Sequence, residues 1–153
     1  MQTISEQVTA LFRNYNNAPI TSIDKLPQAG SDRHYFRIHT SPKNYIATYG
    51  TNLKENETFI YFSGQFAKQQ LPTSQILYVS EDNCCYIQED FGNECLLDKL
   101  QEHGFTTEVY ELYKKSLAQL ALLQVKGHEV IDYSKCLTNA EFGKQAIMAD
   151  LLY

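Results

Sequence analysis

Glycine and proline are scarce in this chain, with 7 and 4 occurrences in 153 residues. This scarcity argues against a disordered or fibrous protein, and 43% hydrophobic with 20% charged residues is ordinary for a globular domain. A chain of this length forms one domain or a little more, and can bury roughly 70% of the surface that its unfolded state exposes. The composition therefore predicts a folded domain that is stable without disulfide bonds or a structural metal ion.

Basic residues are too few for a protein that relies on long-range attraction to phosphate backbones. Thirteen Lys and Arg residues stand against eighteen Asp and Glu, which leaves a formal net charge of −5. Because this balance repels nucleic acid and anionic membrane surfaces, we expect neither as a partner. A nucleotide can still bind such a chain through a local nest of backbone N–H groups or through a metal ion.

No cysteine pattern indicates a disulfide framework or a zinc site. The four cysteines show neither CxxC nor His-paired spacing, and two of them are adjacent: Cys84, Cys85, Cys95 and Cys136. We expect them to be small buried apolar residues in a reduced, cytoplasmic protein with no metal site in this chain. No apolar run reaches membrane-spanning length, and Glu6 and Arg13 interrupt any signal-peptide core.

Capping signals and hydrophobic periodicity predict the secondary structure. Thr3 with Glu6 forms a capping-box pattern at the start of an N-terminal helix. Strands are expected over 20–26, 34–39 and 44–49, followed by a helix that Asn52 and Glu55 open. Two further strands over 75–79 and 84–88 flank the turn at 81–83. The expected order is three strands, one helix and two strands.

Helical patterns dominate the rest of the chain. The helix after Asn52 has Phe59, Phe62 and Phe66 as its predicted buried stripe. A short helix is expected over 94–102, and a long one from Thr107 to a stop at Gly127. The apolar positions expected on one face of the long helix are Val109, Leu112, Tyr113, Leu117, Leu120 and Leu123.

A last helix is expected to start at Thr138, with Glu141 as its capping partner and Phe142, Ala146 and Ala149 on one face. It has no stop signal before Tyr153. We therefore expect that this is part of a longer protein, although natural chains also end in docked helices.

Three segments follow one another along the chain: 30–38 (GSDRHYFRI), 71–77 (LPTSQIL) and 86–92 (YIQEDFG). In this order they resemble the aminoglycoside phosphotransferase and choline kinase-like family, nearest to bacterial kinases of N-acetylmuramate and N-acetylglucosamine. The resemblance implies an α+β, protein-kinase-like small lobe: a five-stranded antiparallel sheet with one packed helix and an N-terminal helix. On this basis residues 1–92 form the nucleotide-binding lobe and residues 93–153 the helical start of a truncated large lobe.

The first of these segments is expected to contact the phosphates of ATP. Gly30 lacks a Cβ, so consecutive backbone N–H groups can approach phosphate oxygens, and Ser31 adds a hydroxyl. Asp32 belongs to the same turn, and Arg33 adds a positive charge. A plain hairpin turn is the alternative. By resemblance, Arg37 is expected to be a structural ion-pair partner.

The third segment is expected to bind adenine, which needs one backbone acceptor and one backbone donor between apolar faces. Gln88, Glu89, Asp90 and Phe91 would supply these groups through the main chain, with Ala47 small enough for the ring to stack over it. The alternative for Glu89 and Asp90 is a solvated turn.

The third strand departs from the wider kinase pattern, because residues 45–49 (YIATY) lack the lysine that usually pairs with the phosphates and a helix carboxylate. Without that lysine, Glu55 and Glu57 are expected to be solvated helix charges. Lys54 is a weaker candidate to replace it.

No catalytic loop is found in the chain. None of the four histidines starts the His-x-Asp sequence that the family carries, and no GxSxG, HExxH or Walker A motif is present. The catalytic carboxylates and the Mg²⁺ ligands are expected in the C-terminal lobe of the parent chain, so this piece alone should be inactive.

The resemblance implies that the full-length protein transfers the γ-phosphate of ATP to a hydroxyl of a small molecule, with a sugar or amino sugar as the leading acceptor. Two alternatives stay open: a pseudokinase-like binding or regulatory module, and an unrelated interaction domain with a similar order of elements.

Overall fold

The strands and helices follow the expected order. The computed structural model describes residues 3–28, 30–137 and 143–152 and confirms an α+β chain with five strands and five α-helices. In chain order, the elements are α1 (Ile4–Tyr15), β1 (Ile20–Lys25), β2 (His34–Thr40), β3 (Asn44–Tyr49), α2 (Leu53–Lys68), β4 (Ile76–Val79), β5 (Cys85–Glu89), α3 (Leu96–His103), α4 (Thr107–His128) and α5 (Lys144–Leu152).

Side-chain caps fix the starts of the first two helices. The Thr3 hydroxyl accepts from the Glu6 N–H at 3.3 Å, and the Glu6 carboxylate accepts from the Thr3 N–H at 2.7 Å, which completes the capping box. Asn52 caps α2 by accepting from the Glu55 N–H. Both caps were predicted and both are confirmed.

The five strands form one antiparallel sheet in the order β1-β2-β3-β5-β4. Helix α1 packs against one face and encloses the main core, which contains Val8, Leu11, Phe12, Phe36, Ile38, Tyr45, Ala47, Cys85 and Ile87. Because strand side chains alternate between faces, the intervening residues lie on the other face, the α2 face. There Arg37, Ile46 and Gln88 stand directly opposite one another on β2, β3 and β5.

Helix α2 differs from its prediction. Its buried side chains are Asn56 and Ser63, whereas Phe59, Phe62 and Phe66 are only half-buried and line a cavity. The Asn56 amide donates to the carbonyl oxygens of Gly50 and Asn83 and so ties the helix to the ends of β3 and the β4–β5 turn. The expectation of a buried phenylalanine stripe was wrong because the sheet does not cover the whole apolar side of α2.

The long helix α4 also differs in two respects. It continues through Gly127 to His128, and Gly127 is buried where a Cβ would stand 3.0 Å from the Phe66 ring. Gly127 therefore allows a close approach of α4 to α2 and does not stop the helix. On the predicted apolar face Val109 is buried, but Leu117 is 64% exposed.

The final helix is described from Lys144 onward. Its expected start at Thr138, with Glu141 and Phe142, lies outside the described residues. Within the described part of the chain, no helix combines the length and apolar character needed to cross a membrane.

The cysteines were expected to be buried, and only Cys85 is. Cys95 is exposed, whereas Cys84 and Cys136 are half-buried. The prediction was wrong for these three: Cys84 lies in the β4–β5 turn before β5 begins, and Cys95 precedes the short, exposed helix α3.

Candidate functional site

The turn between β1 and β2 has a backbone conformation that suits glycine. Gly30 has φ +58°, in the left-handed region, and a Cβ built there would meet no atom within 4 Å. The Ser31 hydroxyl accepts from the Arg33 N–H at 3.3 Å, and Asp32 is exposed. An open, exposed turn with a glycine at its bend leaves space for an anion beside the main chain.

Arg33 leaves this turn toward helix α2. Its Nε lies 3.1 Å from Oε1 of Glu55, and the two side chains are only 20% and 22% exposed. Glu55 is therefore not the solvated helix charge that we expected. The pair links the predicted phosphate-contacting turn to the helix that follows the third strand.

The surroundings of Arg33 hold its guanidinium over the α2 face of the sheet. Nη1 donates to the Tyr86 hydroxyl at 3.4 Å, and the guanidinium carbon lies 5.7 Å from the ring centres of both Tyr35 and Phe59. Burial would by itself lower the pKa of Arg33, but Tyr86, Tyr35 and Glu55 raise it above its ordinary value. Arg33 is thus a fixed and fully charged cation.

Arg37 holds the segment that follows β5. Its Nε and Nη2 donate to the two carboxylate oxygens of Asp90 at 2.7 and 3.1 Å, while Nη2 also donates to the Gly92 carbonyl and Nη1 to Asn93. The Gly92 N–H completes the network by donating to Asp90 at 2.9 Å. Arg37 forms the expected ion pair, and Asp90, with a 4% exposed side chain, is not part of a solvated turn.

The neighbouring residues leave some main-chain groups available. The Glu89 carbonyl accepts from the Ser74 hydroxyl at 3.2 Å, and the Glu89 carboxylate accepts from the Gln75 N–H. A carbonyl oxygen has a second lone pair. Phe91 is 72% exposed, and its N–H has no partner among the described residues. One acceptor and one donor are therefore within two residues of each other, as a planar heterocycle requires.

The side chain of Ala47 does not lie with the other candidates. It is fully buried in the core beneath α1, so it faces away from Arg33, Arg37 and Gln88. Ile46 occupies the equivalent place on the α2 face, opposite both Arg37 and Gln88. The buried Gln88 Oε1 has no hydrogen-bond partner in the described chain. Ala47 therefore does not line the α2 face, where Ile46 is the β3 residue opposite Arg37 and Gln88.

Two other expectations concern cations. Lys54 is exposed and lies beside Glu57 and Tyr61, not beside Arg33. Across the described ranges, no group of three or more His, Cys, Asp or Glu side chains is arranged to hold a metal ion. The described residues therefore include no set of side chains arranged as Mg²⁺ ligands.

Two apolar cavities lie near this region, and neither is lined by residues 88–91. One, of about 370 Å³, lies against α2 and has Arg33 and Glu55 in its wall. The other, of about 570 Å³, lies between α3 and α4 and is lined by Leu100, Phe105, Thr106, Thr107, Val109, Tyr110 and Tyr113. The pairing of Glu55 and the cavity beside it were missed from the sequence, since no local pattern joins residues so far apart.

Comparison of the chain with protein-family models and with curated proteins finds no match in either case.

Proposed function

We propose that this chain is the ATP-binding portion of a phosphotransferase that transfers the γ-phosphate of ATP to a hydroxyl of a small molecule, with a sugar or amino sugar as the leading class. A protein-kinase-like small lobe has three antiparallel strands, a helix and two more strands, and this chain has that order in one sheet. The proposal rests on the residues that the sheet brings to its α2 face.

The ion pair between Arg33 and Glu55 is the observation that carries the proposal. Kinases of this kind pair a phosphate-binding cation with a carboxylate on the helix after the third strand. Here the third strand has no lysine, but Glu55 on α2 holds a cation that comes from the β1–β2 turn. Arg33 therefore provides the charge at the end of the turn where the phosphates are expected.

The remaining groups give the nucleotide its orientation. The guanidinium of Arg33 is planar, so it can donate to a phosphate oxygen while Glu55 keeps its direction fixed. The Glu89 carbonyl and the Phe91 N–H offer an acceptor and a donor to the edge of a base, and the Arg37–Asp90 network fixes that segment. ATP bound there would supply the phosphoryl group, and the metal ligands and catalytic carboxylates would come from the parent chain's C-terminal lobe.

Isothermal titration calorimetry with Mg·ATP, on the protein translated from the complete gene, tests the proposal. Arg33→Met should weaken binding about 10- to 100-fold, as expected for a hydrogen bond between charged groups. Glu55→Gln should have a smaller effect, since it only frees the guanidinium to move. Lys54→Met, which removes an exposed cation from the same helix, is the matched control and should bind normally.

The absence of binding heat for ATP and every other nucleotide tested would refute the proposal. Binding that Arg33→Met leaves unchanged would refute the role of the ion pair. Binding without phosphoryl transfer to any sugar would favour the non-catalytic, pseudokinase-like alternative.

A further inference from the structure

The hydroxyl of Tyr86 lies against the guanidinium of Arg33. Tyr86 belongs to β5 and is fully buried, and its ring stacks on Phe59 of α2 with 5.5 Å between the ring centres. Its hydroxyl accepts from Nη1 of Arg33 at 3.4 Å. A buried tyrosine hydroxyl usually has a hydrogen-bond partner, and here Arg33 is that partner. The guanidinium is therefore tied to a fully buried residue of the sheet.

The contacts of Arg33 leave part of its guanidinium available. Arginine has five N–H donors in one plane, so the groups that hold some of them decide where the others lie. The Nε of Arg33 lies 3.1 Å from Oε1 of Glu55 and 3.5 Å from the Ser31 hydroxyl. Tyr86 holds Nη1, whereas Nη2 makes no hydrogen bond to any of the described residues. Contacts to two different nitrogens thus fix the direction of the remaining donors.

Tyr86 acts on Arg33 as a neutral acceptor. Burial raises the pKa of Tyr86 above its ordinary value of 10.0, and the nearby Arg33 only partly opposes this rise. The hydroxyl therefore stays protonated at neutral pH and does not neutralise the guanidinium, as a second carboxylate would. It holds Nη1 in place and leaves the positive charge that a phosphate requires.

We propose that Tyr86 is a positioning residue for the phosphates of the nucleotide, on which it acts through Arg33 without contacting them. Glu55 holds the guanidinium from α2, and Tyr86 holds it from the sheet. The inference rests on the proposed function, since it requires a phosphate beside Arg33.

Calorimetry with Mg·ATP on the full-length protein tests this role through a double-mutant cycle. Tyr86→Phe keeps the ring against Phe59 and removes only the hydroxyl, so it should weaken ATP binding about three- to tenfold. In the Arg33→Met background the same change should have no further effect, because the hydroxyl acts only through the guanidinium. A merely structural role would weaken binding by the same factor in both backgrounds.

The side-chain NMR signals of Arg33 test the positioning in the absence of nucleotide. Rotation about the Nε–Cζ bond exchanges the two Nη groups, and contacts to both Nε and Nη1 slow this rotation. The signals are identified in the isotope-labelled full-length protein by their loss in Arg33→Met. We expect separate Nη1 and Nη2 signals in the original protein and merged signals in Tyr86→Phe.

Tyr45→Phe is the matched control. Tyr45 is also a buried strand tyrosine, and its hydroxyl accepts from the Asn16 amide at 3.1 Å, but it lies in the core beneath α1. The control variant should lose a similar hydrogen bond and leave both ATP binding and the Arg33 signals unchanged.

Four results would overturn the inference while leaving the proposed function in place. They are unchanged ATP binding in Tyr86→Phe, equal losses in the two backgrounds of the cycle, an equal loss in Tyr45→Phe, and Nη signals of Arg33 that Tyr86→Phe does not alter. No binding of ATP by the original protein would refute the proposed function, and this inference with it.

Discussion

Replacement of Arg37 by methionine is the sharpest stability test that the structure offers. Arg37 and Asp90 are 11% and 4% exposed at their side chains, and Arg37 also donates to Gly92 and Asn93. Methionine has a similar length but no charge and no donor. The variant therefore leaves the Asp90 carboxylate buried, with the Gly92 N–H as its remaining donor in the described network.

The size of the effect follows from this geometry. Removing one partner of a buried ion pair costs about 3–5 kcal/mol, because the other charge stays desolvated. Since the Gly92 N–H remains and water reaches a small part of both side chains, we expect about 3 kcal/mol for Arg37→Met. Arg37→Lys keeps the charge but loses the planar fork, so we expect about 1–2 kcal/mol.

A double-mutant cycle separates the ion pair from the packing. Asp90→Leu combined with Arg37→Met removes both charges, and its cost should be well below the sum of the two single changes. The free energy of unfolding is measured by urea denaturation, followed by circular dichroism and by tyrosine fluorescence. A cost below about 1 kcal/mol for Arg37→Met, or simple additivity in the cycle, would refute the reasoning.

Three further predictions concern packing, thiol reactivity and pH. Gly50→Ala should destabilise the protein by about 1–3 kcal/mol in urea denaturation, because the new Cβ would stand 2.8 Å from Oδ1 of the fully buried Asn56; an unchanged midpoint would contradict this. Burial raises the pKa of Cys85 to about 12, so iodoacetamide should modify the exposed Cys95 before Cys85, as followed by mass spectrometry. Equal rates of modification of the two thiols in the folded protein would count against the prediction. A side-chain and a backbone hydrogen bond lower the pKa of Asp82 below its ordinary value of 3.8. The ionised carboxylate should therefore stabilise the folded protein above pH 3.8, and this contribution should be lost as the pH falls through the lower pKa of the folded state. The stability difference between the original protein and Asp82→Asn should shrink accordingly in acid, and a difference independent of pH would show that the carboxylate charge contributes nothing.

Much of the secondary structure could be predicted because its signals are local. The capping box of Thr3 and Glu6 spans four residues, and the Asn52 cap acts within its own helix turn. The five strands were also located to within one or two residues, since turn residues separate them. These features depend on neighbours in the chain and need no knowledge of the tertiary fold.

The sequence did not allow the same prediction of which β3 side chains face α1 and which face α2. Residues 45–48 are all buried, so the strand shows no alternation of apolar and polar residues from which its direction could be read. The sequence therefore did not reveal that Ala47 faces α1, and the register with β2 and β5 was needed to place Ile46 on the α2 face. The end of α4 was predicted to within one residue, but the role of Gly127 was not, because the glycine makes room for Phe66 of another helix.

The sequence by itself determined the order of elements, their caps and the turn that carries Gly30 and Arg33, because these depend on residues a few positions apart. Only the tertiary structure decided that Glu55 faces Arg33, that Arg37 holds Asp90, and that Gly127 makes room for Phe66 of α2. Each of these contacts forms between segments that are distant in the sequence, and no local sequence pattern predicts such a contact.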